Sequence, residues 1–188
     1  MSVKSLKGCR VTSDAKSAES AIQRINHSTI SICNRQRSRK INSRRLREIA
    51  VALLAGLPVA EVELGVNLVG AREMALVNET FLQHAGPTDV ITFDHLSSEF
   101  GIRNSEFKLH GELFICVDVA LAQAREFKST WQSEVVRYLV HGVLHLLGHD
   151  DLSPGPRRRM KRVENRLVRQ LARKFTLAQI GARSKISA

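Results

Sequence analysis

Two imidazoles and a carboxylate lie within eleven residues of one another, and this stretch is where the sequence could do chemistry. His141 and His145 are four apart, which on a helix puts them one turn apart on one face, with ring nitrogens converging on a point a metal ion can occupy. Gly148 follows three residues after the second histidine; a glycine there takes up the left-handed conformation that ends a helix and turns the chain back. A residue near 151 then reaches the same point, and Asp151 offers a carboxylate oxygen. Asp150 and His149 compete for this third place. Asp151 is preferred because it lies far enough beyond His145 for the chain to reverse, and His149 is the runner-up. Two imidazoles and one carboxylate leave one zinc position open, the arrangement of hydrolytic zinc sites, so one Zn2+ per chain is expected. The competing reading has both histidines merely packed among Val140, Val143, Leu144, Leu146 and Leu147. The spacing, the glycine and the acids together favour the metal.

Residue 142 narrows the reaction. A zinc peptidase of the His-Glu-x-x-His type carries its general base directly after the first histidine, and here that residue is Gly142, which cannot move a proton. This position argues strongly against peptide hydrolysis on this helix, which stays only as a third rival, and leaves the base to come from elsewhere or from the metal-bound water itself.

The elements that must position these groups can be read from periodicity. Ile30 and Ile32 alternate as in a short strand. Asn42 or Ser43 caps a helix with Leu46, Ile49, Ala50, Leu53 and Leu54 on one face, ended by Gly56. Val62, Leu64, Val66 and Leu68 alternate with polar or small residues, the pattern of a strand with one buried face. A helix over 71–83 is stopped by Gly86 and Pro87, and 88–94 reads as a strand. After a polar loop containing Gly101, residues 113–117 are continuously apolar, as in a central strand covered on both faces. Asp118 opens a short helix through Phe127. Thr130 or Ser133 caps the histidine-bearing helix, which ends at Gly148. Ser153 and Pro154 start a last helix, with a capping hydroxyl and an apolar stripe of Met160, Val163, Leu167 and Leu171. The expected fold is α+β: a small, mixed, four-stranded sheet packed with about five helices. One catalytic domain over 29–176 is expected between a flexible basic extension, 1–28, and a basic tail, 177–188.

Charge is unevenly distributed along the 188 residues. Residues 1–48 hold 12 Lys/Arg against 3 Asp/Glu, 49–154 hold 6 against 14, and 155–188 hold 11 against 1. Basic arms displace the counterions condensed on phosphate, so RNA is the expected partner, although such arms can also be simply solvated. The apolar stretch 49–60 is too short to span a membrane and is broken by Gly56 and Pro58, and residues 1–26 lack the apolar core of a secretory signal. Cysteines at 9, 33 and 116 support neither a disulfide framework nor a thiolate metal site. A cytoplasmic protein is expected, with no membrane or DNA partner.

Residues 141–151 resemble the signature of the YbeY endoribonucleases. The segment from Gly86 through Pro87, Thr88, Asp89, Val90, Ile91 and Thr92 to Phe93 resembles their second block, and 111–116 a third. The resemblance spans roughly 29–170. It implies a zinc-dependent, single-strand-specific endoribonuclease, acting in ribosomal RNA maturation at the 16S 3′ end and in ribosome quality control, on a fold related to zinc proteases. Ribosomal or small-subunit proteins are further partners it suggests. Three positions depart from the family pattern: Asp151 stands where histidine is usual, with His149 in place of tyrosine, and Leu82 stands where the family has an arginine.

Arg137, one turn before His141, is a candidate substitute cation at the metal-bearing face, or else a surface arginine paired with Glu134 or Glu126. The resemblance places the strand after Thr88 beside the metal cleft. Asp89 would there orient a water or hold a ligand histidine, unless it only caps its own turn. Thr88 and His84 are candidate substrate contacts. A rival from another class is a ribosome-associated assembly factor whose metal is structural.

Overall fold

The structure, a computed structural model, describes residues 29–96 and 108–181. The expected extension 1–28 and the loop around Gly101 lie outside the described residues. Four strands form one sheet: β1 (Thr29–Asn34), β2 (Glu61–Val69), β3 (Val90–Asp94) and β4 (Lys108–Cys116), in the order β1-β2-β4-β3. β1, β2 and β4 run parallel, and β3 pairs antiparallel with β4 at the edge. The helices are α1 (Ser43–Ala55), α2 (Ala71–Leu82), α3 (Val117–Glu126), α4 (Trp131–Leu146) and α5 (Pro154–Lys174), followed by a 3-10 turn, Leu177–Ile180. This is the expected mixed sheet with five helices.

Alternation decides which face of the sheet is buried. Val62, Leu64, Val66 and Leu68 of β2, with Leu109, Leu113 and Ile115 of β4, point into one core shared with Leu46, Ile49, Leu53 and Leu54 of α1 and with α4 and α5. Each such fully buried aliphatic side chain contributes about 1.5–3 kcal/mol. The opposite face carries a smaller cluster of Val69, Met74, Ile91 and Cys116, where α2 packs with Phe93 and Phe114.

Three expectations are corrected. β4 begins at Lys108 rather than 113, because Leu109 and Gly111 already fill its buried face while Lys108, His110 and Glu112 turn away. Val117 belongs to α3, so the apolar run crosses a strand end. The body also runs past 176: Ile180 is fully buried, and Ile41 bridges to Gly181, so the 3-10 turn seals the foot of the core.

Caps are set partly by distant residues. Asn42 accepts from the Arg45 N–H at 3.0 Å and Thr130 from the Ser133 N–H at 3.2 Å, as local rules require. Asp118, expected to open α3, instead accepts at 2.7 Å from the Ala71 N–H at the start of α2. Ser153 makes no side-chain cap; Pro154 at the first helical position starts α5 without it.

Candidate metal centre

The apolar stripe of α4 leaves only one flank for polar groups. Val135, Val136, Leu139, Val140, Val143 and Leu144 are buried against the sheet and α5, while His141 and His145 lie side by side at the rim, partly exposed. Their Nε2 atoms are 3.0 Å apart. Gly148 takes φ +83°, and the Gly148 and His149 N–H groups donate to the carbonyls of His145 and Leu144, which ends the helix and folds the chain back. Asp151 arrives with Oδ2 at 3.8 Å from His141 Nε2 and Oδ1 at 3.8 Å from His145 Nε2. Among the described residues these three form the group that could hold a metal, with ligand atoms all within 4.8 Å of one another. The side chain of His149 is not in this group; its carbonyl takes a different part.

The outer nitrogen of each imidazole is tied. His141 Nδ1 lies 3.1 Å from Glu164 Oε2, and His145 Nδ1 lies 3.1 Å from the carbonyl oxygen of His149. A carbonyl only accepts, so His145 donates from Nδ1, and its neutral ring presents the Nε2 lone pair to the site. Burial pushes the His145 imidazole below its usual pKa and the facing His141 adds to this, against the pull of Asp151 and the His149 carbonyl. A ring kept neutral at pH 7 is the form a metal binds.

Zinc suits this donor set. Bonds of about 2.0–2.1 Å in tetrahedral geometry put neighbouring donor atoms about 3.3 Å apart. The two imidazole nitrogens, 3.0 Å apart, are close to that, and the Asp151 side chain, whose two oxygens each approach a different imidazole at 3.8 Å, would have to move in to present one oxygen to both. With Asp151 about one-third exposed, the open side of the site faces solvent.

Glu164 was not legible as a site residue, yet it is what fixes His141. It sits on α5, is 2 % exposed, and accepts from Arg137 Nη1 at 2.5 Å and Lys161 Nζ at 2.8 Å besides meeting His141. Burial alone would raise its pKa; the hydrogen bonds from His141, Lys161 and Arg137 overcome this and hold the carboxyl at about 2. One signal did exist: Glu164 is the sole acid among residues 155–188 and falls on the Met160–Leu167 stripe.

The remaining candidates occupy other places. Arg137 is not a free cation facing the metal: its guanidinium is shared among Glu164, Asn165 and Glu134, behind His141. Asp89 does not hold a ligand histidine, because Glu164 and the His149 carbonyl do; its Oδ1 accepts from the Val90 N–H at 2.9 Å and the Thr88 hydroxyl at 3.1 Å, capping its own turn. Thr88 is half-buried and His84 is exposed, in the loop that leads into β3. Leu82, half-exposed, ends α2 just ahead of that loop.

Gly142 faces the sheet, not the metal. A Cβ there would stand 2.7 Å from Leu113 Cδ2 and 3.3 Å from Thr92 Cγ2, so a peptidase glutamate has no room. Gly142→Ala is expected to lower stability by about 1 kcal/mol, since overpacking of about 1–3 kcal/mol outweighs the roughly 1 kcal/mol helix-propensity gain. Denaturant midpoints test this; a stabilised variant would show that Leu113 yields freely.

Comparison with known proteins agrees with this architecture. The family model described as Endoribonuclease YbeY matches residues 31–172. The Endoribonuclease YbeY of Chlorobium luteolum is 33 % identical over 135 residues, covering 72 % of this chain and 93 % of that protein. The protein of the same name from Geobacter metallireducens is 34 % identical over 146 residues, covering 77 % and 96 %. The solution structure of TM1509 from Thermotoga maritima shares the fold, with a TM-score of 0.54 at 23 % identity, covering 85 % of this chain and 99 % of that one. With a family match over most of its length, this chain belongs to the YbeY endoribonuclease family.

Proposed function

We propose that this nuclease is a zinc-dependent, single-strand-specific endoribonuclease acting in ribosomal RNA maturation, including the 16S 3′ end, and in ribosome quality control. The observation that carries the reading is the convergence of His141, His145 and Asp151 on one solvent-facing point, each imidazole with its outer nitrogen already tied. A bound zinc ion would supply Lewis acidity, making water a nucleophile at neutral pH and drawing charge from a phosphodiester oxygen.

The chain's own residues do the positioning. Glu164 and the His149 carbonyl keep both rings turned inward. Arg137 and Lys161 keep Glu164 ionised, so Arg137 acts through that carboxylate rather than on substrate. Thr88, Asp89 and His84 are proposed to line the approach of the RNA strand, with Asp89 orienting a reacting group. Among the described residues no helix is long and apolar enough to cross a membrane, consistent with work in the cytoplasm on ribosomal RNA.

The test compares zinc-loaded and chelated protein on a single-stranded ribosomal RNA fragment. Cleavage by the loaded form, lost with chelator and regained with Zn2+, is expected. An RNA left intact by protein shown to hold one zinc would favour instead an assembly factor with a structural metal.

A further inference from the structure

We propose that the outward face of α5 is a docking surface for the phosphate backbone of base-paired RNA, so that the preferred substrate is a single strand adjoining a duplex. The proposal rests on the endoribonuclease reading and names its substrate class. At about 100° per residue, Arg158, Arg159, Arg162, Arg166, Arg169 and Arg173 fall within an arc of about 100°. All six are exposed, and Met160, Glu164, Leu167 and Leu171 occupy the opposite, buried face. From Arg158 to Arg173 the row extends about 22 Å at 1.5 Å per residue.

What sets these six arginines apart among the described residues is that they form one continuous row; Arg37, Arg72 and Arg125 also have no partner there, whereas several others are paired. Arg35 pairs with Glu73, Arg44 and Arg45 with Glu48, and Arg137 with Glu134 and Glu164. None of the six on α5 has a hydrogen bond or ion pair among the described residues. Like charges at i,i+4, as in 158/162, 162/166 and 169/173, each weaken a helix by a few tenths of a kcal/mol. A row of cations with no partner among the described residues thus costs some stability, which a polyanion whose counterions it displaces offsets.

The face also discriminates between forms of RNA. Proteins that hold unpaired strands do so with aromatic side chains on which bases stack, and α5 contains none. Without stacking platforms it offers only contacts to phosphate, which suit a duplex recognised by shape. On the flank nearer the metal centre, Arg157 Nε donates to the Asp151 carbonyl at 2.8 Å and Lys161 reaches Glu164. Basic groups therefore continue from the outer face to the loop that carries Asp151. A duplex held on the outer face can continue as a single strand over the Arg157 flank toward the loop that carries Asp151.

The experiment measures binding of zinc-loaded protein to an RNA hairpin with a 3′ single-stranded extension, 2′-O-methylated so that it is not cut, and to a plain strand of equal length. The hairpin is expected to bind at least about tenfold more tightly. The triple variant Arg158→Gln, Arg162→Gln, Arg169→Gln is expected to lose that preference and to flatten the slope of log K against log salt by about 3, with zinc content unchanged. Equal parental affinity for the two RNAs, or a triple variant with the parental salt slope, overturns the proposal. So does a parent that binds polyglutamate and not the hairpin. Cleavage of unmodified RNA is followed separately: arginine-dependent hairpin binding without cleavage by the parent sinks the endoribonuclease reading and supports the docking surface.

Discussion

His145→Ala is expected to purify without zinc and to cleave RNA at least about a thousandfold more slowly than the parent. The ring it removes is one of three donors, and the two left behind, His141 and Asp151, cannot enclose an ion. Its partner at Nδ1 is a backbone carbonyl at the helix end, so little else is disturbed. The variant should therefore fold, with a denaturant midpoint close to that of the zinc-free parent. Asp151→Ala is expected to weaken zinc binding as well, but less, because two imidazoles one turn apart still converge. Metal analysis beside a cleavage assay reads both effects. A His145→Ala protein that retains one zinc and parental activity would remove the metal centre from the reaction.

The second large effect is expected at Glu164. Glu164→Ala withdraws a buried carboxylate from Arg137 and His141, and breaking such a pair costs about 3–5 kcal/mol. The lower end applies here, since Arg137 keeps Glu134 and Asn165. Zinc affinity is expected to fall about 10–100-fold, because a ligand imidazole loses the group that orients it. Glu164→Gln retains an oxygen for His141 Nδ1 and should recover part of the affinity but none of the charge. Competition with a chelating dye measures the first quantity and denaturant unfolding of zinc-free protein the second. Equal zinc affinity in parent and Ala variant would reduce Glu164 to a packing role.

The same residue gives an acid dependence with a definite sign. Its carboxyl is held at about 2, below the ordinary 4.5, so the ionised form stabilises the fold. That contribution, about 3 kcal/mol, is fully present above pH 4.5 and is lost as the pH falls toward 2. In Glu164→Gln the acid limb of the stability curve should flatten by about this amount; an unchanged limb would mean that other carboxylates dominate.

Much of the architecture follows from short-range rules that the chain states openly. A spacing of four puts His141 and His145 together on any helix, Gly148 at φ +83° turns the chain, and Asp151 is delivered by that turn; all three depend on residues within one segment. The alternation of Val62 to Leu68 is likewise local and marks a strand with one buried face. The start of β4 was hidden because Lys108, His110 and Glu112 are polar, and only pairing with β2 shows that Leu109 and Gly111 fill a buried face. The burial of Ile180 was hidden for the same reason, since nothing near it in sequence provides the cavity it fills.

What the sequence determined alone is therefore the helix that presents two imidazoles, the bend that returns an acid, and the family to which these motifs belong. Tertiary packing alone decided which group holds His141. Glu164 is 23 residues away on a different helix, and only the crossing of α4 and α5 brings its buried carboxylate within 3.1 Å of Nδ1. The same packing set Arg137 against Glu164, while Asp89 Oδ1 accepts from the neighbouring Val90 N–H. Spacing fixes neighbours along one element, but a contact between elements depends on how the helices pack, and a buried charge must find its partners there.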